Sequence, residues 1–389
     1  MTLKIAVIAG ESSGDLLGAG MVAEIKRLTG GDVEFMGVGG PALAEEGLVS
    51  LFDFSDTAIM GISAVLMRLP TLIKRISQTA KAVIAAKPDA LVIIDSPGFT
   101  HRVARKVREE LPGLPVIQYV CPTVWAWKPY RARRMVAFVD HVLAILPFEP
   151  EAMERLGGPP TTYVGHRLRT LPAVLDARSH NASRMPSAGS VRTILLLPGS
   201  RVTEISRLLP IFKETAEFLA SRGAYRFIMP AVPHQEARVR EMTANWPIRP
   251  EIVIGEAGKW EAFRQADAAL AAAGTVLFEL ALTGIPTIAT YRTDIFIRLI
   301  MSQIKTWSGA LPNLIADYPV FPEFYDQFLR PEMLGRWLER LSTDTPQRAG
   351  VLAGCQAVFE KLTTETPASE HAGEIVLELA QRKSRATLS

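Results

Sequence analysis

Cysteine is scarce: two residues, Cys121 and Cys355, in a chain of 389. They lie far apart and offer neither a disulfide framework nor a metal-ligand spacing, which fits a reducing cytoplasm. Histidine is scarce too, with six residues and no His-x-x-x-His pair. No pair of aspartates stands at a metal-binding spacing, so no catalytic metal and no cofactor are expected. An excess of one charge is missing: 43 Lys and Arg against 40 Asp and Glu leave a net +3. That is too small to argue for a nucleic-acid partner. Long apolar runs are missing as well. The longest uncharged stretch, Leu111 to Trp127, carries Pro112, Pro115 and Pro122, so no membrane span is expected. The first apolar run holds Lys4 and stops at Glu11 and Asp15, as a buried strand does and a signal peptide does not. Secretion and an integral membrane protein are therefore not expected; peripheral membrane association stays open. There is no Gly-x-Ser-x-Gly elbow, which leaves a hydrolase triad without support.

What is present is ordinary globular material. Hydrophobic residues make up 48% and charged residues 21%, which rules out disorder for the bulk of the chain. The length predicts two or three domains. Lys4–Ala9 reads as a strand, Gly10–Asp15 as a turn and Leu16–Leu28 as a helix, the opening of an α/β fold. Short runs rich in Val, Ile and Leu recur at Ala90–Ile94, Val116–Val120 and His141–Leu146, as expected of parallel strands buried on both faces. Residues 176–192 are small and polar with no apolar period, and read as a linker. The pattern then restarts with strands at Thr193–Leu197, Phe227–Pro230 and Glu251–Ile254 and a helix over Glu204–Leu219. The expected organisation is an N-terminal domain over 1–175, the linker, a C-terminal domain over 193–365, and a helix and tail over 366–389. That last helix returns either to the N-terminal domain or to a partner chain. Two α/β halves of similar size predict two Rossmann-like domains around a cleft.

Four turns carry candidate chemistry. Gly10-Glu11-Ser12-Ser13-Gly14-Asp15 lies between strand and helix, where glycines let a ligand approach and helix N–H groups are free. It is neither a dinucleotide fingerprint nor a P-loop, and Ser13 or Asp15 acting as a plain cap fits it equally. Asp95 follows the apolar strand and precedes Ser96-Pro97-Gly98. A carboxylate at the carboxyl rim of a parallel sheet suits a general base, or a turn before proline. In Pro198-Gly199-Ser200-Arg201 the hydroxyl and the guanidinium fork suit phosphate oxygens, although a surface arginine on a turn reads the same. Gly274-Thr275 opens a helix whose N-terminus can face a diphosphate. Glu279 lies one turn further on, where a carboxylate can accept both hydroxyls of a ribose, although an ordinary buried helix with a capping Thr reads the same.

Two segments invite a surface reading. Residues 101–134 hold Arg102, Arg105, Lys106, Arg108, Lys128, Arg131, Arg133 and Arg134 against only Glu109 and Glu110, with Trp125, Trp127 and Tyr130 interleaved. RNA stacking, an anionic lipid surface and a solvated helix face all fit that composition. Ile62 to Ile84 has an apolar stripe opposite Arg68, Lys74, Arg75 and Lys81, broken at Pro70. It is either a membrane-surface helix pair or a core-facing stripe.

In order along the chain stand Ala9 to Asp15, Gly37-Val38-Gly39-Gly40, Met60-Gly61, Ile94-Asp95-Ser96-Pro97, Tyr119 to Trp127 (Tyr-Val-Cys-Pro-Thr-Val-Trp-Ala-Trp) and Leu146-Pro147-Phe148-Glu149. Val164-Gly165-His166, Leu196 to Arg201, Gly274-Thr275 with Glu279, and Leu311-Pro312-Asn313-Leu314 follow. This ordered set resembles the lipid-A-disaccharide synthase family. The resemblance implies the α/β GT-B architecture and transfer of 2,3-diacylglucosamine from UDP-2,3-diacylglucosamine to the 6-hydroxyl of 2,3-diacylglucosamine 1-phosphate, with inversion and without a metal. It implies Asp95 as base, with Ser200, Arg201, Gly274, Thr275, Glu279 and Asn313 toward the nucleotide sugar. Glu11, Ser13, Gly14 and Asp15 would line the cleft on the acceptor side. Acylated substrates imply a peripheral place on the cytoplasmic face of the inner membrane. The Ile62–Ile84 stripe and the basic 101–134 segment are then candidates for reaching the bilayer and for holding the acceptor phosphate. The chain departs from the family pattern at Gly98, Arg167, Ala273 and Asp326. A related GT-B transferase or epimerase on another UDP-sugar, and a non-catalytic nucleotide-sugar-binding protein, are the rival readings. Acyl-chain length and homo-oligomer formation are left open.

Overall fold

The computed structural model describes residues 2–57, 62–184, 189–293 and 304–386, and the side chains of 62–68 and 383–386 fall outside that description. Met60 and Gly61 of the family motif set also lie outside the described residues. Two compact units form: Met1–Arg167 together with Thr364–Ser389, and Leu168–Thr363.

The first unit holds a six-stranded sheet of β1 (Leu3–Ala9), β2 (Val33–Val38), β3 (Ala90–Ile94), β4 (Val116–Tyr119), β5 (His141–Ala144) and β6 (Thr161–Tyr163). Its order is β2-β1-β3-β4-β5-β6, and every pair is parallel. Strand residues alternate between two cores. Ala6, Ile8, Leu91 and Ile93 pack on one face; Ile5, Val7, Ala9, Val92 and Ile94 pack on the other. Both faces are covered, so the strands read as unbroken apolar runs rather than as alternating ones. The Ala368–Ala386 helix sends Ala372, Val376, Leu377 and Ala380 into the second of these cores. The C-terminal segment thus completes the first unit of its own chain.

The second unit repeats the plan with β7 (Arg192–Leu197), β8 (Tyr225–Ala231), β9 (Glu251–Ile254), β10 (Ala268–Ala272), β11 (Thr287–Tyr291) and β12 (Glu323–Tyr325). The order is β12-β11-β10-β7-β8-β9, again all parallel. In each sheet the winding reverses once, between β1 and β3 and between β7 and β10. The carboxyl ends of strands at such a switch point leave a crevice in which ligands bind.

Two expectations differ from the structure. The stretch expected to be a linker, 176–192, is helical at its start, within Pro172–Ala182. That helix buries only Val174 and Ala177 and is otherwise held by polar side chains. Asn181 Nδ2 donates to the carbonyls of Phe263 (3.2 Å) and Thr283 (2.9 Å). Arg178 donates to the Leu282 carbonyl (2.9 Å). Polar anchoring leaves no apolar period to read. The break expected at Pro70 is absent too: Ile62–Ala86 is one helix with Pro70 inside it. A proline forfeits a single backbone hydrogen bond there while the turns on either side keep theirs.

Candidate functional site

In the first unit, Asp95 extends β3 at the switch point. Its φ is +51° and that of Ser96 is +45°, two successive left-handed residues where neither is glycine. Such backbone costs on the order of 1 kcal/mol or more per residue and persists only where its surroundings hold it. Three bonds do so here. The Asp95 N–H donates to the Tyr119 carbonyl (3.1 Å), the Thr100 hydroxyl donates to the Asp95 carbonyl (2.7 Å), and Ser96 N–H donates to Asp95 Oδ1 (2.8 Å). Among the described residues nothing donates to Oδ2, and the half-buried carboxylate keeps one oxygen for a ligand.

Gly10 ends β1 directly beside this turn. A Cβ on Gly10 would overlap the Ser96 side chain. Gly10→Ala therefore shifts Ser96 and with it Asp95. The expected loss is about 10²-fold in kcat with the fold retained, since a displacement near 1 Å can cost that much. Ser96→Gly in the same chain removes the overlap and should restore most of the rate. Steady-state kinetics on the single and double variants check this.

The Gly10–Asp15 candidates separate. Glu11 and Ser13 are exposed at the start of the Ser12–Thr29 helix. Glu11 Oε1 accepts from the Ser96 hydroxyl (3.1 Å), which joins it to the Asp95 turn. Gly14 is buried against Ile94, where a side chain would press on the strand. Asp15 does not line the site. It is 3% exposed, and its carboxylate accepts from Gly40 (2.7 Å), Ala42 (2.9 Å) and Leu43 (3.2 Å). It caps the short Pro41–Glu45 helix and fixes the loop after β2, because three backbone donors satisfy a buried carboxylate better than any exposed position.

The Tyr119–Trp127 motif is braced from below. Trp125 Nε1 donates to Glu149 Oε1 (3.2 Å), and Ile145 and Leu146 N–H groups donate to Oε2 (3.2 and 3.0 Å). Burial pushes the Glu149 carboxyl up to about 8 despite those three donors. His101, 4% exposed, faces Gln118 Oε1 through Nε2 at 3.1 Å. The Gln118 amide donates to the Tyr119 and Val120 carbonyls, so its oxygen is the acceptor and His101 carries its proton on Nε2.

Burial pushes the His101 imidazole down to about 4, with help from Arg131 and Arg105. The unfolded chain takes up that proton near 6.5, so the stability due to His101 is present above 6.5 and lost as pH falls toward 4. The loss should reach about 3 kcal/mol across that window. His101→Gln, which keeps a donor for Gln118, should remove that component from urea-derived stabilities measured between pH 7 and 4.

In the second unit a cavity of about 430 Å³ opens at the switch point between β7 and β10. Ser200, Arg201, Gly274, Thr275 and Glu279 all line it. Three helices start there: Val202–Ala220, Gly255–Gln265 and Thr275–Leu282. The first is closed by its own Glu204, whose Oε2 accepts from Ser200 and Arg201 N–H groups (3.2 and 3.3 Å) while Oε1 pairs with Arg201 (2.8 Å). Gly199 has φ +102° and leaves room for that carboxylate. Among the described residues no side-chain cap is made at the helix that starts at Thr275, and the Thr275 and Val276 N–H groups at the cavity wall suit an anion.

Lys259 is a site residue that the motifs do not single out. Its ammonium bridges Glu256 and Glu279 at 3.0 Å each, and it fixes the Glu279 carboxylate at the cavity wall. A signal for it exists in Ile254-Gly255-Glu256, another strand-to-glycine-to-helix turn with Lys259 one turn along. Asn313, expected toward the nucleotide, is absent from the cavity lining. It is 1% exposed. Its oxygen accepts from Val320 and Phe321 (2.9 and 2.8 Å), and its amide donates to the Phe321 carbonyl (3.1 Å) and Glu323 (2.7 Å). With both ends of the amide engaged, it is a clamp on the 311–323 turn. Asp326, one of the departures, accepts from the Thr293 N–H (2.8 Å) and hydroxyl (2.6 Å).

Two parallel sheets, each with candidate residues at its switch point, make up the GT-B architecture. Solved structures agree in fold. MurG of Acinetobacter baumannii matches with a TM-score of 0.59 at 14% identity, over 97% of this chain and 99% of that one. A putative UDP-N-acetylglucosamine 2-epimerase of Listeria monocytogenes matches at 0.62 and 14%, over 99% and 98%. Fold likeness at that identity does not separate transferases from epimerases; sequence does. The family model of lipid-A-disaccharide synthetase matches residues 5–371. The lipid-A-disaccharide synthase of Rhodopseudomonas palustris is 46% identical over 383 residues, 97% of each chain. That of Nitrobacter winogradskyi is 46% identical over 388 residues, 99% of this chain and 97% of the relative. The chain belongs to the lipid-A-disaccharide synthase family and carries that family's glycosyltransferase activity.

Proposed function

We propose that the enzyme transfers 2,3-diacylglucosamine from UDP-2,3-diacylglucosamine to the 6-hydroxyl of 2,3-diacylglucosamine 1-phosphate, in one inverting displacement that needs no metal. The observation that carries the reading is what stands at the two switch points: a carboxylate with an open oxygen in the first unit, and in the second a cavity lined by Arg201, a helix start at Thr275 and the Glu279 carboxylate held by Lys259.

The second unit holds the donor. Glu279 accepts the ribose hydroxyls, and Lys259 keeps it oriented. The uncapped N–H groups at Thr275 and the Arg201 guanidinium take the diphosphate. Preorganised donors of this kind stabilise charge as it develops on the leaving group. The first unit supplies the base. Asp95 takes the proton from the acceptor 6-hydroxyl as its oxygen bonds to donor C1. The C1–oxygen bond to the diphosphate breaks, and UDP leaves with the electron pair. One base and one departing group give a β product from an α donor. Glu11, through Ser96, steadies the Asp95 turn.

Association with the cytoplasmic face of the inner membrane is peripheral in this reading. Among the described residues no helix is long and apolar enough to cross a membrane. On the Ile62–Ala86 helix Ile76, Ala80 and Val83 are in the core. Leu69 and Ile73 stand 36% and 55% exposed beside exposed Lys74 and Lys81, the mixture that seats a helix at a headgroup layer.

The product tests the chemistry. Proton NMR of the purified disaccharide should show a large trans-diaxial coupling at the new anomeric centre, as a β linkage requires. A small coupling, meaning an α linkage, would mean retention and would remove Asp95 as the single base.

A further inference from the structure

The first unit contains a second cavity, of about 270 Å³, that the mechanism above does not use. Its walls include His101, Arg105, Trp127, Lys128, Arg131 and Arg134, and among the described residues no carboxylate lines it. Among the described residues none of these four cations forms an ion pair. Three of them rest on aromatic faces: Arg105 lies 4.5 Å from the Phe138 centroid, Lys128 5.0 Å from Trp127, and Arg134 4.8 Å from Tyr130. Aromatic faces position a cation without neutralising it. Arg108, nearby on the same helix but outside the cavity, does have an acid partner in Asp140. Four cations without an acid partner thus converge on one cavity.

The cavity shares the carboxyl rim with Asp95. His101 and Arg105 lie on the Thr100–Glu110 helix, whose first hydroxyl bonds the Asp95 carbonyl. Lys128, with φ +52°, belongs to the loop that follows β4, and Arg131 and Arg134 to the Tyr130–Met135 helix. Guanidinium forks match phosphoryl oxygens. The donor diphosphate has its own place in the second unit, so an anion drawn here is a different one.

We propose that this cavity is a phosphomonoester site that takes the 1-phosphate of the acceptor sugar and sets the enzyme's preference for a phosphorylated acceptor. The proposal rests on the acceptor assignment given above. A bound phosphate would also offset the positive field of Arg105 and Arg131 at His101 and raise the imidazole pKa.

The test compares wild type, Arg105→Gln/Arg131→Gln and the milder Arg134→Gln. Acceptors are 2,3-diacylglucosamine 1-phosphate and its dephosphorylated counterpart. In parallel, glucosamine 1-phosphate, with glucosamine as control, is titrated against the His101 ring resonance. The double variant should lose about 10²-fold in kcat/KM on the phosphorylated acceptor, as loss of charge-assisted bonds predicts. It should lose less than about threefold on the dephosphorylated one, and Arg134→Gln should fall between. Glucosamine 1-phosphate, and not glucosamine, should raise the His101 pKa in wild type and not in the double variant. Equal losses on both acceptors, tracking lost binding to phosphatidylglycerol vesicles, would assign the charge to the bilayer and overturn the proposal. Preserved selectivity in the double variant would overturn it too. If wild type turned over neither acceptor, the acceptor assignment would fall, and the His101 titration would still decide whether the cavity takes a phosphomonoester.

Discussion

Asp95→Asn should lower kcat by about 10³-fold, within the span that positioned general bases contribute, while UDP affinity and donor KM stay within a factor of two or so. Asn is the informative replacement. It tolerates the left-handed backbone that Asp95 adopts at φ +51°, and its side-chain oxygen can still accept from the Ser96 N–H. What it loses is the capacity to take a proton. Asp95→Ala would also relax the turn, because the side-chain acceptor for Ser96 vanishes, so its effect would mix chemistry with geometry. A melting temperature for Asp95→Asn within about 2 °C of wild type, together with the fall in kcat, would place the loss in the chemical step. A fall of less than tenfold would mean that another group takes the proton.

Glu279→Ala should raise donor KM and UDP Kd by about 10²-fold, the worth of two hydrogen bonds from ribose hydroxyls to a charged acceptor. Acceptor KM should stay unchanged, because the acceptor is assigned to the first unit. Lys259→Ala should give the same phenotype in weaker form, about tenfold, since Glu279 survives but loses the ammonium 3.0 Å away that orients it. Calorimetric titration with UDP alone separates the two, without any acceptor present. If Glu279→Ala bound UDP as wild type does, the ribose contact would be wrong and the cavity would hold some other part of the donor.

Much of this architecture is legible in the order of the amino acids, because parallel strands buried on both faces write themselves as apolar runs. Ala90–Ile94 and Glu251–Ile254 agree with their expected bounds to the residue. β10 is not legible in this way: Ala-Ala-Leu-Ala-Ala has no β-branched residue, and it is a strand only because its neighbours β7 and β11 make it one. The helix at Pro172–Ala182 leaves no pattern to read because its anchors are Asn181 and Arg178 reaching carbonyls distant in sequence.

The site is readable to the extent that its chemistry sits on strand-to-helix turns. Asp95, Arg201, Gly274 and Thr275 are candidates on such turns, and Glu279 lies one helical turn beyond. Asp15 and Asn313 show the limit. Each is a polar residue inside a motif, and each is spent on backbone groups that become its neighbours only when the chain folds. Spacing alone cannot tell a carboxylate aimed at a ligand from one aimed at the N-terminus of another helix. Lys259 shows the converse, since its importance comes from Glu279, twenty residues away.

The most direct measurement is UDP release from UDP-2,3-diacylglucosamine in detergent with EDTA, with and without 2,3-diacylglucosamine 1-phosphate. The account predicts release that depends on the acceptor and is indifferent to the chelator. Release without acceptor, release abolished by EDTA, or no release from a folded protein that binds UDP would contradict it.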